Sequence, residues 1–352
     1  MLMEYIWNYN QDFVRYENII ETSFLKRLKL DSYFKGDVKM SKYIVKRLLM
    51  MVFLLLGLTF IVFVSLYFAP GDPAEIAAGA SATAEEIEKT RVYLGLDKPF
   101  VVQYFTYLIN LLSGNLGTSL LTRQPIWNEV AIRIPNTINL AVSSMIFACI
   151  IGIPLGVIAA IKKDSFLDNF LTTFSLFGIS VPNFWLGTIF ILIFCVQLKL
   201  FPTGGMSEPF WTPLGFKQAF LPSLSLGMQV AAGFMRIGRS SMLDVLQSDY
   251  IRTAKSKGLK DRTIIVVHAL RNAMIPILTQ MGTSFGGLLG GAMVTEQVFA
   301  INGIGSYLIN AINQRNYTAV QSTVLIIAFM FVVVNLIVDL LYCVVDPRIR
   351  YE

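Results

Sequence analysis

Hydrophobic and polar positions alternate along this chain in long blocks. Six apolar stretches, residues 48–68, 138–160, 170–198, 220–237, 275–298 and 322–345, stand between shorter polar ones. A bilayer's hydrocarbon core takes about 17 to 25 residues of helix, so each stretch predicts a membrane span. The third is interrupted by Val181-Pro182-Asn183. Such breaks are tolerated where neighbouring helices satisfy the freed backbone groups. Residues 84–94 and 99–112 show polar and apolar positions at helical spacing, which predicts short amphipathic helices in the segment 69–136. The expected fold class is all-α integral membrane. It has six transmembrane helices, a helical insertion between the first and second, and an ordered helical segment between the fourth and fifth.

Composition agrees with this pattern. The chain is 55% hydrophobic and 15% charged, with a mean hydropathy of +0.60. A soluble domain carries about a quarter charged residues. The net charge of +6 does not indicate nucleic acid, because the basic residues cluster beside apolar runs. Lys42, Lys46 and Arg47 precede the first span, Lys162 and Lys163 follow the second, Arg236 and Arg239 follow the fourth, and Arg348 and Arg350 follow the sixth. All fall on one side if both termini are cytoplasmic, and 69–136 is then external. Arg236 and Arg239 are placed to snorkel to the lipid headgroups.

The domain reading is 1–39 as an N-terminal extension, 40–68 as cytoplasmic N-terminus and first span, and 69–136 as insertion. Residues 137–346 form a five-helix core with a cytoplasmic loop at 239–274, and 347–352 a tail. Residues 1–39 scatter aromatics among charges without a strong period. A membrane-surface helix is one reading of them. The plainer reading is translation from Met40, since Lys35-Gly36-Asp37 can be encoded by a purine-rich ribosome-binding sequence.

Candidate chemistry is sparse. Cys149, Cys195 and Cys343 all lie in apolar runs without paired spacing, so neither a disulfide framework nor a metal site is expected. His268 is the one histidine, which removes zinc pairs and Ser-His or Cys-His couples. No Gly-Lys dipeptide occurs, so there is no phosphate loop. No catalytic, metal or cofactor site is expected.

The informative polar segment lies between the fourth and fifth spans. Six of the 29 Lys and Arg fall between Arg252 and Arg271. Leu246, Tyr250, Ala254 and Gly258 recur every four residues, which predicts a helix face narrowing to a small tip that a second protein can approach. Arg252, Lys255 and Ser256 lie on another face. Gly258 ends the helix, as glycine does where a left-handed conformation is required. A second helical stretch then leads to Pro276 in the opening turn of the fifth span, making a stiff unit. A solvated amphipathic loop is the alternative. In the fifth span, Gly282, Gly286 and Gly290 are spaced four apart; such residues line a pore or gate, or simply pack helices closely. Asn335 and Asp339 are polar within the sixth span. They serve either a proton or ion path or a helix-pinning hydrogen bond.

The segment from Tyr250 to Ala273 resembles the coupling motif of ATP-binding-cassette importer permeases, in the form shown by the oligopeptide, dipeptide and nickel permeases of the B-subunit type. Tyr250-Ile-Arg252-Thr253-Ala254, Lys257-Gly258 and His268-Ala-Leu-Arg-Asn-Ala carry the likeness. So do Ala69-Pro70-Gly71-Asp72-Pro73, Gly114-Asn-Leu-Gly117, Glu296-x-Val-Phe299, Gly303-x-Gly305 and Asp346-Pro347-Arg348. Asn115 stands where Asp is usual, and Asn302 where Pro is usual. The resemblance spans residues 40–351. It implies a non-catalytic half-transporter of the cytoplasmic membrane, paired with a homologous second permease. Two ATPase subunits would bind the ATP, and an external substrate-binding protein would deliver cargo. Tyr250, Arg252, Thr253, Ala254, Lys257, Gly258 and His268 are then the ATPase-coupling residues. Peptide is the leading cargo and nickel or a metal chelate the runner-up. A secondary carrier working alone, sensitive to Asp339→Asn, is the reading from a different class.

Overall fold

The computed structural model describes residues 49–79 and 81–345, with side chains through Val338. Residues 1–39, the expected start at Met40 and the tail 347–352 lie outside them. Two units are distinguished by internal contacts: residues 1–54 with 340–352, and residues 55–339. The described parts of the first are helical throughout. The second holds the helical bundle.

The chain is helical, in the order α1 (Leu49–Tyr67), α2 (Pro73–Ala78), α3 (Ala84–Tyr93), α4 (Phe100–Leu112), α5 (Ile126–Ala131), α6 (Ile134–Ile161), α7 (Phe166–Ser180), α8 (Asn183–Phe190, continued as a π-helix Ile191–Gln197), α9 (Pro213–Leu246), α10 (Asp249–Ser256), α11 (Asp261–Thr263, continued as a π-helix Ile264–Ala269), α12 (Leu270–Val298), α13 (Ile304–Asn313) and α14 (Tyr317–Val345). Helices stand at both places expected in 69–136, as α3 and α4; α4 is amphipathic, whereas α3 is polar and buries no residue. α3 opens on a capping box, in which Thr83 and Glu86 satisfy each other's backbone N–H.

Among the described residues, four helices are long and apolar enough to cross a membrane: Leu49–Tyr67, Ile126–Ile161, Asp261–Val298 and Tyr317–Val338. The expected third span is two helices, Phe166–Ser180 and Asn183–Gln197, bent by 100°. Val181 is extended there (ψ 126°). The ring of Pro182 disfavours a helical residue before it. The expected fourth span falls in α9, which is 34 residues long but too polar to meet the same criterion. The reason is its position: α9 packs against α6, α7, α8 and α12, and Leu221, Leu226, Phe234 and Met235 along it are buried. A helix covered by protein has no need of a lipid-compatible surface.

The α6–α9 contact is close because α6 offers glycine. A Cβ at Gly156 would stand 2.6 Å from the Met235 carbonyl oxygen. Small residues let helix backbones approach in this way. Ser143 and Ser223 join the same pair of helices through hydroxyls 2.6 Å apart.

Candidate coupling site

α10 is a short helix whose ends are well specified. Asp249 in its first turn and Lys255 in its last complement the helix dipole. At its C-terminus the Gly258 N–H donates to the Lys255 carbonyl (2.9 Å) and the Leu259 N–H to the Ala254 carbonyl (3.4 Å). This pair of bonds is a Schellman motif, which needs a left-handed residue. Gly258 supplies it at φ +74°. No atom lies within 4 Å of where a Gly258 Cβ would stand, so the turn faces open space.

One face of α10 is buried within the chain. Ile251 (0% exposed) and Ala254 join Ala160 of α6, Met242 of α9, and Ile264, Ala269 and Ala273 at the root of α12 in one apolar cluster. The expected narrowing of an exposed face from Tyr250 through Ala254 to Gly258 is corrected by this packing. Ala254 is turned inward and its small size serves the cluster. The reason is helical geometry: Ile251 and Ala254 are three residues apart and share a stripe, and the buried isoleucine sets which way it faces. Tyr250, Arg252, Thr253, Lys255, Ser256, Lys257 and Gly258 are exposed.

One side-chain bond ties the outer face to the span. Asn272 Nδ2 on α12 donates to the Tyr250 hydroxyl (2.7 Å). His268 is half-buried in the π-helical turn, one turn back from Asn272, and its carbonyl also accepts from Asn272 (3.2 Å). Pro276 is not in an opening turn. The helix runs without a break from Asp261 to Val298, so Pro276 is interior; Leu259 and Lys260 separate it from Gly258.

The three glycines of α12 do not share one face. Gly282 and Gly286 are buried, and a Cβ at Gly286 would meet Phe331 of α14 at 2.6 Å. Gly290 is exposed with nothing near it. At about 100° per residue, positions four apart drift around the helix. Asn335 is half-buried on α14; the Asp339 side chain lies outside those described.

Two polar networks are not legible in the sequence. Arg239 does not snorkel. It holds Asp168 of α7 through two bonds of 2.6 and 2.7 Å, and Asp168 is buried. At the other end of α12, Glu296 is fully buried. It accepts from the Thr137 hydroxyl on α6 (2.5 Å) and from the Ser306 N–H in the first turn of α13 (2.9 Å). The Thr137 hydroxyl oxygen accepts in turn from the Ile304 N–H (2.9 Å). Beside it, Tyr307 donates to Glu129 (2.5 Å) and lies under the Arg133 guanidinium. Burial first, and then the Glu129 carboxylate, push the Tyr307 phenol up from its ordinary range. Arg133 Nε donates to the Asn302 side chain (3.0 Å), a contact the usual proline cannot make. In the sequence Glu296 stands only as part of a motif, since nothing in the spacing places Thr137 opposite it.

Comparison with known proteins decides what this arrangement belongs to. Residues 152–351 match the family described as binding-protein-dependent transport system inner membrane component, and residues 40–141 match the N-terminal region of the same membrane component. The chain belongs to this family. This permease is 42% identical over 313 residues to the glutathione transport system permease protein GsiC of Pectobacterium atrosepticum, covering 89% of the chain and all of the relative. It is 40% identical to GsiC of Escherichia coli K12 over the same share of each chain. In fold, it resembles a chain of the MetNI methionine transporter in an inward-facing conformation. The TM-score is 0.54 at 15% identity, covering 63% of the permease and 99% of that chain. The permease is thus a non-catalytic, multi-pass inner-membrane subunit of an ATP-driven importer.

Proposed function

We propose that this permease carries small peptides, glutathione among them, and is driven through α10. The observation that carries the cargo is identity of about two-fifths along the whole length of glutathione permeases. It favours a peptide-type cargo over nickel or a chelate. The observation that carries the drive is α10 itself. It is a capped helix with an inner face seated on α6, α9 and α12 and an outer face of exposed Arg252, Thr253, Lys255 and Lys257.

In this reading two ATPase subunits bind the ATP, and one receives α10 in a groove. A homologous second permease completes the pore. α9 and the bent pair α7–α8 bring the spans to six, both termini are cytoplasmic, and an external binding protein docks above. The exposed line of Thr283, Gly287 and Gly290 on α12 faces the pore, while Gly282 and Gly286 pack against the chain's own helices. Closure of the ATPases displaces α10, and the unbroken helix 261–298 passes that displacement into the membrane as a rocking motion. The test is uptake of labelled glutathione by cells with and without this gene, challenged by unlabelled dipeptides, tripeptides and nickel. Competition by peptides is expected; competition by nickel alone overturns the cargo.

A further inference from the structure

A cavity of about 640 Å³ lies between the outer ends of α1 and α14 and the insertion helices α3 and α4. We propose that it binds the phosphate-bearing headgroup of a membrane phospholipid. The site is separate from α10 and from the α12 face assigned to the pore, and the proposal holds whatever the transporter carries.

Its position puts it at the membrane boundary. Phe63, Leu66 and Tyr67 at the end of one span and Tyr317, Thr318 and Gln321 at the start of another line it. α4 shows which solvent lies outside. Gln103, Thr106, Tyr107 and Asn110 follow helical i, i+3, i+4, i+7 spacing and line the cavity. Val101, Phe105, Ile109 and Leu112 fall on the other side of the helix and are 55–78% exposed. The polar face thus points into the protein and the apolar face away from it. A water-facing helix shows the opposite arrangement, and one lying in a bilayer interface shows this one. Phe60, Phe63, Tyr67, Phe100 and Tyr104 pack edge to face at this level, as aromatic residues do at membrane boundaries.

The lining offers one lysine and several hydrogen-bond donors to a group with acceptor oxygens. Arg91 is already paired with two carboxylates, Asp72 at 2.5 Å and Glu88 at 3.1 Å, so Lys98 is the cation of the lining that is left to meet an anion. Two cavity residues also hold buried polar atoms without a partner, the Tyr107 hydroxyl and the Gln321 amide nitrogen. A buried donor left unmade costs about 1–3 kcal/mol, so each has reason to take an acceptor oxygen that enters the cavity. The volume lies within the roughly 300–1,000 Å³ of small-molecule sites.

The experiment uses the assembled transporter, purified in mild detergent and probed with phosphatidylglycerol and phosphatidylethanolamine. Native mass spectrometry counts phospholipid retained by wild type, Tyr107→Phe, Gln321→Leu and Lys98→Glu. Retention should be weaker by roughly fivefold for each lost donor, and weaker still for Lys98→Glu with phosphatidylglycerol. As a check that leaves the donors intact, Thr106→Cys should react with maleimide more slowly once phospholipid is added. Equal retention in all four proteins, unchanged maleimide labelling, or protection by a dipeptide but not by phospholipid would overturn the proposal.

Discussion

The two ends of α12 are held by different physics. At one end, Ile251, Ala254, Met242, Ile264, Ala269 and Ala273 join α10 to the root of the span through apolar contact, with Tyr250–Asn272 as a side-chain bond across the joint. At the other, Glu296 binds α6 and α13 through buried directional bonds, with Tyr307, Glu129, Arg133 and Asn302 beside it. Apolar contacts have no preferred angle and can slide as helices shift. A buried carboxylate that loses a donor leaves unpaired polar groups, and so it resists displacement. The difference teaches where a lever of this shape can move. If α10 is the driven element, as proposed, the α10 end is the one expected to shift and the Glu296 end the fixed point.

The largest expected effect breaks the fixed end. Glu296→Ala takes the acceptor from the Thr137 hydroxyl and from the Ser306 N–H, leaving the Ile304–Thr137 bond in place. It should destabilise the permease by on the order of 3 kcal/mol, read as a lower melting midpoint of the purified complex. Glu296→Gln keeps the shape and should recover part of the loss. A melting midpoint unchanged in Glu296→Ala would deny this end its role. Next is Ile251→Ala, which opens a void under α10 at a cost of about 2 kcal/mol. ATP hydrolysis should persist while peptide transported per ATP falls; an unchanged ratio would mean the apolar joint does not transmit force. Third, Gly258→Trp places a bulky side chain where the structure has open space. Uptake should fall at least tenfold with the protein still inserted. Gly258→Ala meets no atom and costs only backbone strain of about 1 kcal/mol, so it should keep most activity. Equal loss in both variants would locate the defect in folding instead of docking. The smallest effect belongs to Tyr250→Phe, which removes one exposed hydrogen bond worth about 1 kcal/mol or less and should lower coupled uptake by a few-fold at most.

The sequence makes some of this legible and hides the rest for physical reasons. Helix α3 is readable from its capping box and α4 from its periodicity. Gly258 is readable because few residues but glycine adopt its φ of +74°. The inward turn of Ala254 is not, because that depends on Ile251 meeting helices distant in sequence. By its pattern α9 reads as an ordinary apolar span, yet its polarity follows from being covered by four neighbours. α13 has only its Gly303-x-Gly305 entrance as a signal. Its anchor, Glu296, needs Thr137, 159 residues away. Asn302 stands out as a departure from the family pattern, and the structure gives it a bond to Arg133. Asn115 departs too, but its side-chain oxygen accepts from the Gly117 N–H (2.9 Å), which an aspartate would do equally well.

Hydrogen exchange on the reconstituted transporter, with and without ATP, tests the contrast between the two ends most directly. Backbone amides in 249–273 should change their protection when ATP binds, while those in 296–306 and around Thr137 should stay as they were. Change confined to the Glu296 end, or equal change at both ends, would contradict a lever driven at α10 and fixed at Glu296.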